Sequence, residues 1–278
     1  MSNDAQGQSR SWQSVTDGDE LGRWLDQVST MPLLREAANR SLDLLALSPG
    51  EQVLEVGCGS GVFLPLLAEA VGESGSVIGL DRAPDFVEQA RQRTHATKCI
   101  EVDEGDAYAL PYADSSFDAA HCDRVLMHLD DPSGVLAEMR RVVRPGGRVV
   151  AAEPDWASLI IDSVDQTAME VLIRQANTGR RQPHIGRELN RRMASIGLID
   201  RHVEVVGIFS LDYSDLVTYG LNLSQAADAL SAAGELDRRR TQELIDALST
   251  ASRDGTFCAY GGYFVVGGAV PRTRDSSD

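Results

Sequence analysis

The chain has 278 residues, 42% hydrophobic and 24% charged, which is ordinary usage for a folded globular protein and excludes a disordered, collagen-like or disulfide-scaffold chain. Lys and Arg number 26 against 42 Asp and Glu, for a net charge of -16. A polyphosphate is repelled by such a field, so nucleic acid is not an expected partner and a small-molecule substrate is favoured.

Four cysteines (Cys58, Cys99, Cys122, Cys258) stand far apart without a CxxC pair, which predicts free thiols in a reducing cytoplasm and neither disulfides nor a metal site. The polar start MSNDAQGQSRSWQS lacks a signal pattern, and no apolar run reaches the ~18 residues of a membrane span. No membrane association is expected.

Residues 1–18 and 271–278 are polar and predicted to be loose. Helical patterns run from about Glu20 to Val28 and from Pro32 to Leu47, before Ser48-Pro49-Gly50 breaks the chain. Short apolar runs then alternate with amphipathic stretches. Strands are expected at Gln52–Val56, Ser76–Leu80, Ile100–Glu104, Phe117–Cys122 and Arg148–Ala152, with helices at Gly61–Val71, Pro84–Arg93 and Gly134–Val143 between them. Arg144-Pro145-Gly146-Gly147 is read as a sharp stop before the fifth strand. Such alternation implies right-handed crossovers and a parallel sheet of the α/β class. Beyond Glu153, helices are expected at Thr167–Ala176, at Ile185–Ile196 and through 214–251, and strands at His202–Phe209 and Thr256–Gly267.

The segment most able to build a site is Val53-Leu54-Glu55-Val56-Gly57-Cys58-Gly59-Ser60-Gly61, a strand end, three spaced glycines and a helix start. Glycine lets the backbone turn with positive φ and lets a ligand touch the main chain. The next strand ends at Asp81, twenty residues after Gly61, where an acid can accept both hydroxyls of a ribose. The third glycine comes one position early for a dinucleotide fingerprint. Glu104-Gly105-Asp106-Ala107 follows the third strand, and Asp123-Arg124-Val125-Leu126-Met127-His128 follows the fourth.

Taken in order, these motifs resemble the class I S-adenosylmethionine-dependent methyltransferases over about residues 40–155. The nearest likeness is to the small-molecule branch with the ubiquinone/menaquinone and natural-product enzymes. The resemblance implies a Rossmann-like, seven-stranded, mostly parallel sheet with an antiparallel last strand, plus N-terminal helices and a helical cap. The implied division is a helical lid at 1–47, a cofactor core at 48–213, a cap insert at 214–252 and a last strand with tail at 253–278. A monomer or homodimer is expected. By the same likeness, Glu55 and the Gly57, Gly59 and Gly61 loop would hold the methionine part of S-adenosylmethionine. Asp81 would grip the ribose, with Arg82 beside it; Asp106 and the Ala107 amide would meet adenine, and Asp123 would sit near the sulfonium. Asp81 and Asp106 also have plainer readings, as helix cap and turn former.

Methyl transfer is an in-line displacement, and a base is needed only for a protic acceptor. His128, a few residues past the fourth strand, is the first candidate; its alternative is a structural imidazole. His121, inside that strand, reads as a core residue. Met127, Asp155, Trp156 and Tyr213 are candidate substrate contacts by position, with Asp155 and Trp156 expected at the end of the fifth strand. The arginines at 180, 181, 187, 191 and 192 read as a solvated face, or alternatively as a partner for an acidic substrate.

Overall fold

The computed structural model describes residues 18–272, so the expectations for 1–17 and 273–278 lie outside the described residues. Two helices open it, α1 (Gly18–Ser29) and α2 (Pro32–Leu45). The second stops two residues earlier than predicted because Ala46 turns left-handed at φ 44° and its N–H closes on Leu42 O. A seven-stranded sheet follows, in the order β3-β2-β1-β4-β5-β7-β6. Its first strands are β1 (Gln52–Val56), β2 (Ser76–Asp81), β3 (Ile100–Glu104) and β4 (Phe117–Asp123). Next come β5 (Val143–Ile161), β6 (Ile199–Ser210) and β7 (Ala259–Ala269). β1 pairs in parallel with β2 and β4, and β4 with β5, while β7 is antiparallel. Helices α3 (Leu64–Val71), α4 (Pro84–Thr94) and α5 (Pro132–Val142) connect these strands.

β5 departs most from expectation. Arg144–Gly147 is not a stop before the strand. Phe117 faces Val143 and Ala119 faces Arg148, so the four residues between bulge out of the ladder. Gly146 makes this possible at φ +84°, and a Cβ on Gly147 would meet Asp118 O at 2.5 Å. At its other end β5 runs on to Ile161, so Asp155 and Trp156 are mid-strand rather than terminal. Pro154 lies inside the strand without ending it. The β-favouring Trp-Ala-Ser-Leu-Ile-Ile run continues past it, and Asp162 N–H still donates to Cys258 O at 2.9 Å.

The chain divides into two compact units. The larger comprises 22–155, 180–207 and the residues from 262 on. Its core gathers Leu54, Val56, Leu80, Phe117, Leu126, Leu136, Met139 and Val149, all buried, with α7 (Ile185–Ser195) adding Ile185, Leu189 and Met193. Truncating one such Leu to Ala costs about 2–5 kcal/mol. The smaller unit takes 156–179 and 208–261 together with the described residues before 22. In it α6 (Gln166–Asn177), α8 (Tyr213–Thr218), α9 (Leu223–Ala232) and α10 (Arg238–Asp254) pack Met169, Leu172, Leu216, Leu223 and Leu244 into a second core. The helical stretch expected over 214–251 is made of three helices. Asp212, Asn222 and Asp237 start them by accepting main-chain N–H bonds.

Candidate active site

Parallel strands offer a crevice where the strand order reverses, beyond their carboxyl ends. Here that point lies between β1 and β4, both neighbours in the sheet although distant in sequence. The glycine loop leaves β1 with Gly57, Gly59 and Gly61 at φ +71°, +52° and +78°. A Cβ on Gly57 would stand 2.4 Å from Val125 Cγ2, so the loop lies hard against the segment that follows β4. Gly57 and Cys58 N–H both donate to Leu80 O, at 2.7 and 3.0 Å.

Asp81 ends β2 and ties the loop down. Its Oδ2 accepts Gly59 N–H and its Oδ1 accepts Ala83 N–H, each at 2.9 Å. Gly105 N–H donates to Asp81 O at 2.9 Å, which brings the loop after β3 to the same edge. There Asp106 is exposed, accepts Tyr108 N–H at 3.0 Å and makes a tight turn, with Ala107 half-buried beside it. Arg82 is exposed.

Glu55 and His121 occupy paired positions on β1 and β4 and are 2% and 1% exposed. His121 Nδ1 lies 2.7 Å from Glu55 Oε2, and Phe63 flanks the imidazole with ring centroids 4.6 Å apart. Burial pushes the Glu55 carboxyl up against the pull of His121. Burial pushes the His121 imidazole down, but Glu55 wins and leaves it raised. His121 is thus buried as expected, yet it is paired across the strands, a partnership the sequence does not display. Asp123, at the end of β4, accepts the Tyr263 hydroxyl and lies 3.5 Å from Arg124 Nε. Tyr263, a fully buried residue of β7, went unnoticed in the sequence because it comes 140 residues later.

The other side of β4 is held by Glu153, also missed. It is fully buried on β5 and accepts the N–H groups of Val125, Leu126 and Met127 at 2.8, 2.5 and 3.4 Å. Burial pushes its carboxyl up to about 8. Those amides start the 3-10 turn Leu126–His128, so Glu153 fixes the turn that carries Met127 and His128. Met127 is half-buried against the larger core. His128 is half-buried, and burial with the charges of Arg180, Arg124 and Arg181 pushes its imidazole down to about 4. It is uncharged at neutral pH. Asp155 is held in two places by Arg187, with Nη2 at 2.9 Å from Oδ1 and Nε on Oδ2. Its side chain is fully buried, so its exposed partner is the arginine. Arg181 pairs with Asp130 at 2.6 Å, and Gln182 Nε2 donates to Leu129 O at 3.1 Å, which fastens this segment beside the turn.

Trp156 and Tyr213 belong to the smaller unit. Trp156 stacks on Tyr219 with centroids 5.2 Å apart, and Tyr213 packs against Phe257 within that unit's core. The structure therefore brings together Glu55, the three glycines, Asp81, Asp106, Ala107, Asp123, Met127, His128 and Asp155 in one unit, and sets Trp156 and Tyr213 in the other. Among the described residues, no group of three or more His, Cys, Asp or Glu is placed to hold a metal ion, and no helix is long and apolar enough to cross a membrane. All four cysteines are free thiols.

A family model for the methyltransferase domain matches residues 47–205, more than half of the chain. The chain belongs to the S-adenosylmethionine-dependent methyltransferases. An uncharacterised 37.1 kDa protein in transposon TN4556 of Streptomyces fradiae is 40% identical over 256 residues, 91% of this chain and 72% of that one. A demethylmenaquinone methyltransferase of Bacillus cereus is 36% identical over 122 residues, 43% of this chain; the match spans about half of that relative, 52%. A SAM-dependent methyltransferase from Aquifex aeolicus has the same fold, with a TM-score of 0.52 at 18% identity, over 90% of this chain and 99% of that one.

The residues fit the methyltransferase cofactor, S-adenosylmethionine. Three left-handed glycines leave a Cβ-free stretch of main chain beside the crevice. Asp81 uses one lone pair of each oxygen on amides and keeps others for hydroxyl donors. Glu55 and Asp123 put carboxyl groups at the ends of β1 and β4, which suits a ligand carrying a sulfonium and an ammonium.

Proposed function

We propose that this methyltransferase transfers a methyl group to an oxygen, nitrogen or carbon atom of a small organic acceptor, a secondary metabolite, by in-line displacement. The observation that carries this reading is the half-buried, uncharged His128 on a turn pinned by Glu153, directly after the strand that borders the cofactor crevice. A recessed imidazole is reached by a small molecule more readily than by the surface of a macromolecule, and the net charge of -16 disfavours nucleic acid. The likeness to a demethylmenaquinone methyltransferase supports a small acceptor.

Bound S-adenosylmethionine supplies an electrophilic methyl group on a good leaving group. In this reading the chain does the rest. Asp81 holds the ribose hydroxyls, and Asp106 with the Ala107 amide holds the adenine. Glu55 and Asp123 face the positive end. Arg82 lies beside the nucleoside. Holding the reacting atoms in line supplies on the order of 7–11 kcal/mol. His128 Nδ1 or Nε2 receives a proton from the acceptor. A base held near 4 takes only a strongly acidic proton, such as that of a hydroxyl or carbon centre once the methyl has bonded. Met127 lines the acceptor space and the Asp155–Arg187 pair orients a polar group on the acceptor.

The test is incubation with methyl-labelled cofactor and three acceptor pools: small phenols and quinols, protein, and RNA. Label in the small-molecule pool alone supports the reading. Label in protein or RNA overturns it.

A further inference from the structure

A buried ion pair is a poor device for stability, since a well-packed apolar pair of the same volume is commonly as good or better. The pair formed by Glu55 and His121 therefore asks for another explanation. It spans β1 and β4 at paired positions, beside the point where the strand order reverses. Both side chains are nearly sealed, at 2% and 1% exposed. His121 Nε2 has no hydrogen-bond partner among the described residues, so the ring directs its hydrogen bonding through Nδ1 to Glu55 alone. Phe63, two residues past the glycine loop, fixes the plane of the ring.

We propose that His121 is a positioning residue for the cofactor: its Nδ1–H orients the Glu55 carboxylate toward the ammonium at the methionyl end. The inference rests on the assignment of the β1/β4 crevice to S-adenosylmethionine. A carboxylate sealed from water tends to take up a proton unless a donor or a cation opposes it, and His121 is the group that pulls the other way here. Asp123 and the thiols of Cys58 and Cys122 also face the pair; the negative charge of Asp123 raises both partners and so favours protonation of Glu55, while burial and the neighbouring carboxylates push both thiols up and keep them neutral. Without His121, burial acts on Glu55 with less opposition, which favours its neutral form, and the carboxylate loses the donor that aims it at the ammonium. The adenosine end, held by Asp81 and the loop after β3, is untouched by this change.

That separation supplies the experiment. Calorimetry at neutral pH compares S-adenosylhomocysteine with 5′-methylthioadenosine, which has the adenosine and the thioether but no amino-acid end. For His121→Leu the proposal expects homocysteine-ligand affinity to fall about tenfold or more, with methylthioadenosine affinity within about twofold of wild type. His121→Asn, whose amide N–H can stand in for Nδ1–H, restores the former to within about threefold. In a Glu55→Gln background His121→Leu adds no further loss, because the histidine acts through that carboxylate. Equal loss of both ligands, no loss of either, or an Asn variant as weak as the Leu variant overturns the proposal. If His121→Leu does not fold, Glu55→Gln and His121→Asn carry the same comparison. Wild-type protein that binds neither ligand overturns the cofactor assignment itself, a result distinct from all the others.

Discussion

The two flanks of the crevice use carboxylates differently. On the side of β2 and β3, Asp81 and Asp106 stand at strand ends, partly or fully open to water, and bond only to main-chain N–H groups. On the side of β5, Glu153 and Asp155 are sealed, one engaged by three amides and the other by the Arg187 guanidinium. A solvated carboxylate with lone pairs to spare exchanges water for ligand hydroxyls at little cost. A sealed one is committed to holding the chain, because leaving it unpaired costs several kcal/mol. The first flank is thus built to bind and the second to position.

The comparison breaks most visibly at Gly57, which belongs to both flanks through Val125. Gly57→Ala places a Cβ 2.4 Å from Val125 Cγ2 at φ +71°. It should cost roughly 2–3 kcal/mol of stability and weaken cofactor binding as well, read by urea denaturation and calorimetry. Asp81→Ala should lower S-adenosylhomocysteine affinity more than about tenfold, equivalent to about 1.4 kcal/mol, while the cooperative thermal transition persists. Unchanged affinity would falsify the assignment of the first flank.

Arg187→Ala should do the reverse. It takes the guanidinium from the Asp155 carboxylate, and since the arginine is half exposed, water screens the pair and the loss should be about 1 kcal/mol in urea denaturation, with cofactor affinity unaltered. A pH dependence is set by His128. Its imidazole is held down at about 4 against 6.5 in the unfolded chain, so the folded state resists protonation. That contribution to stability is complete above about pH 6.5 and is lost as the pH falls toward 4. His128→Asn should flatten this part of the stability profile, and its cofactor affinity should match wild type.

The binding flank was legible in the sequence because its signals are local. Glycines, a strand end and an acid at fixed spacing sit within Val53–Asp81, and the elements predicted there fall within a few residues of those observed. The positioning flank was not, because its partners are distant: Glu55 with His121, Asp123 with Tyr263, Asp155 with Arg187. Composition offers no cue for such pairs, and His121 in an apolar run reads as any buried histidine. β5 was misjudged for a related reason. Arg-Pro-Gly-Gly and Glu-Pro-Asp look like ends by local rules, whereas pairing in the sheet absorbs the first as a bulge and carries the strand through the second.

The central claim is that the crevice between β1 and β4 holds S-adenosylmethionine. Calorimetric titration of the wild-type protein with S-adenosylmethionine and S-adenosylhomocysteine tests it most directly. The account predicts one site per chain and micromolar binding of both ligands, with heat lost in Asp81→Ala. Absence of binding for both ligands to a folded protein would contradict it.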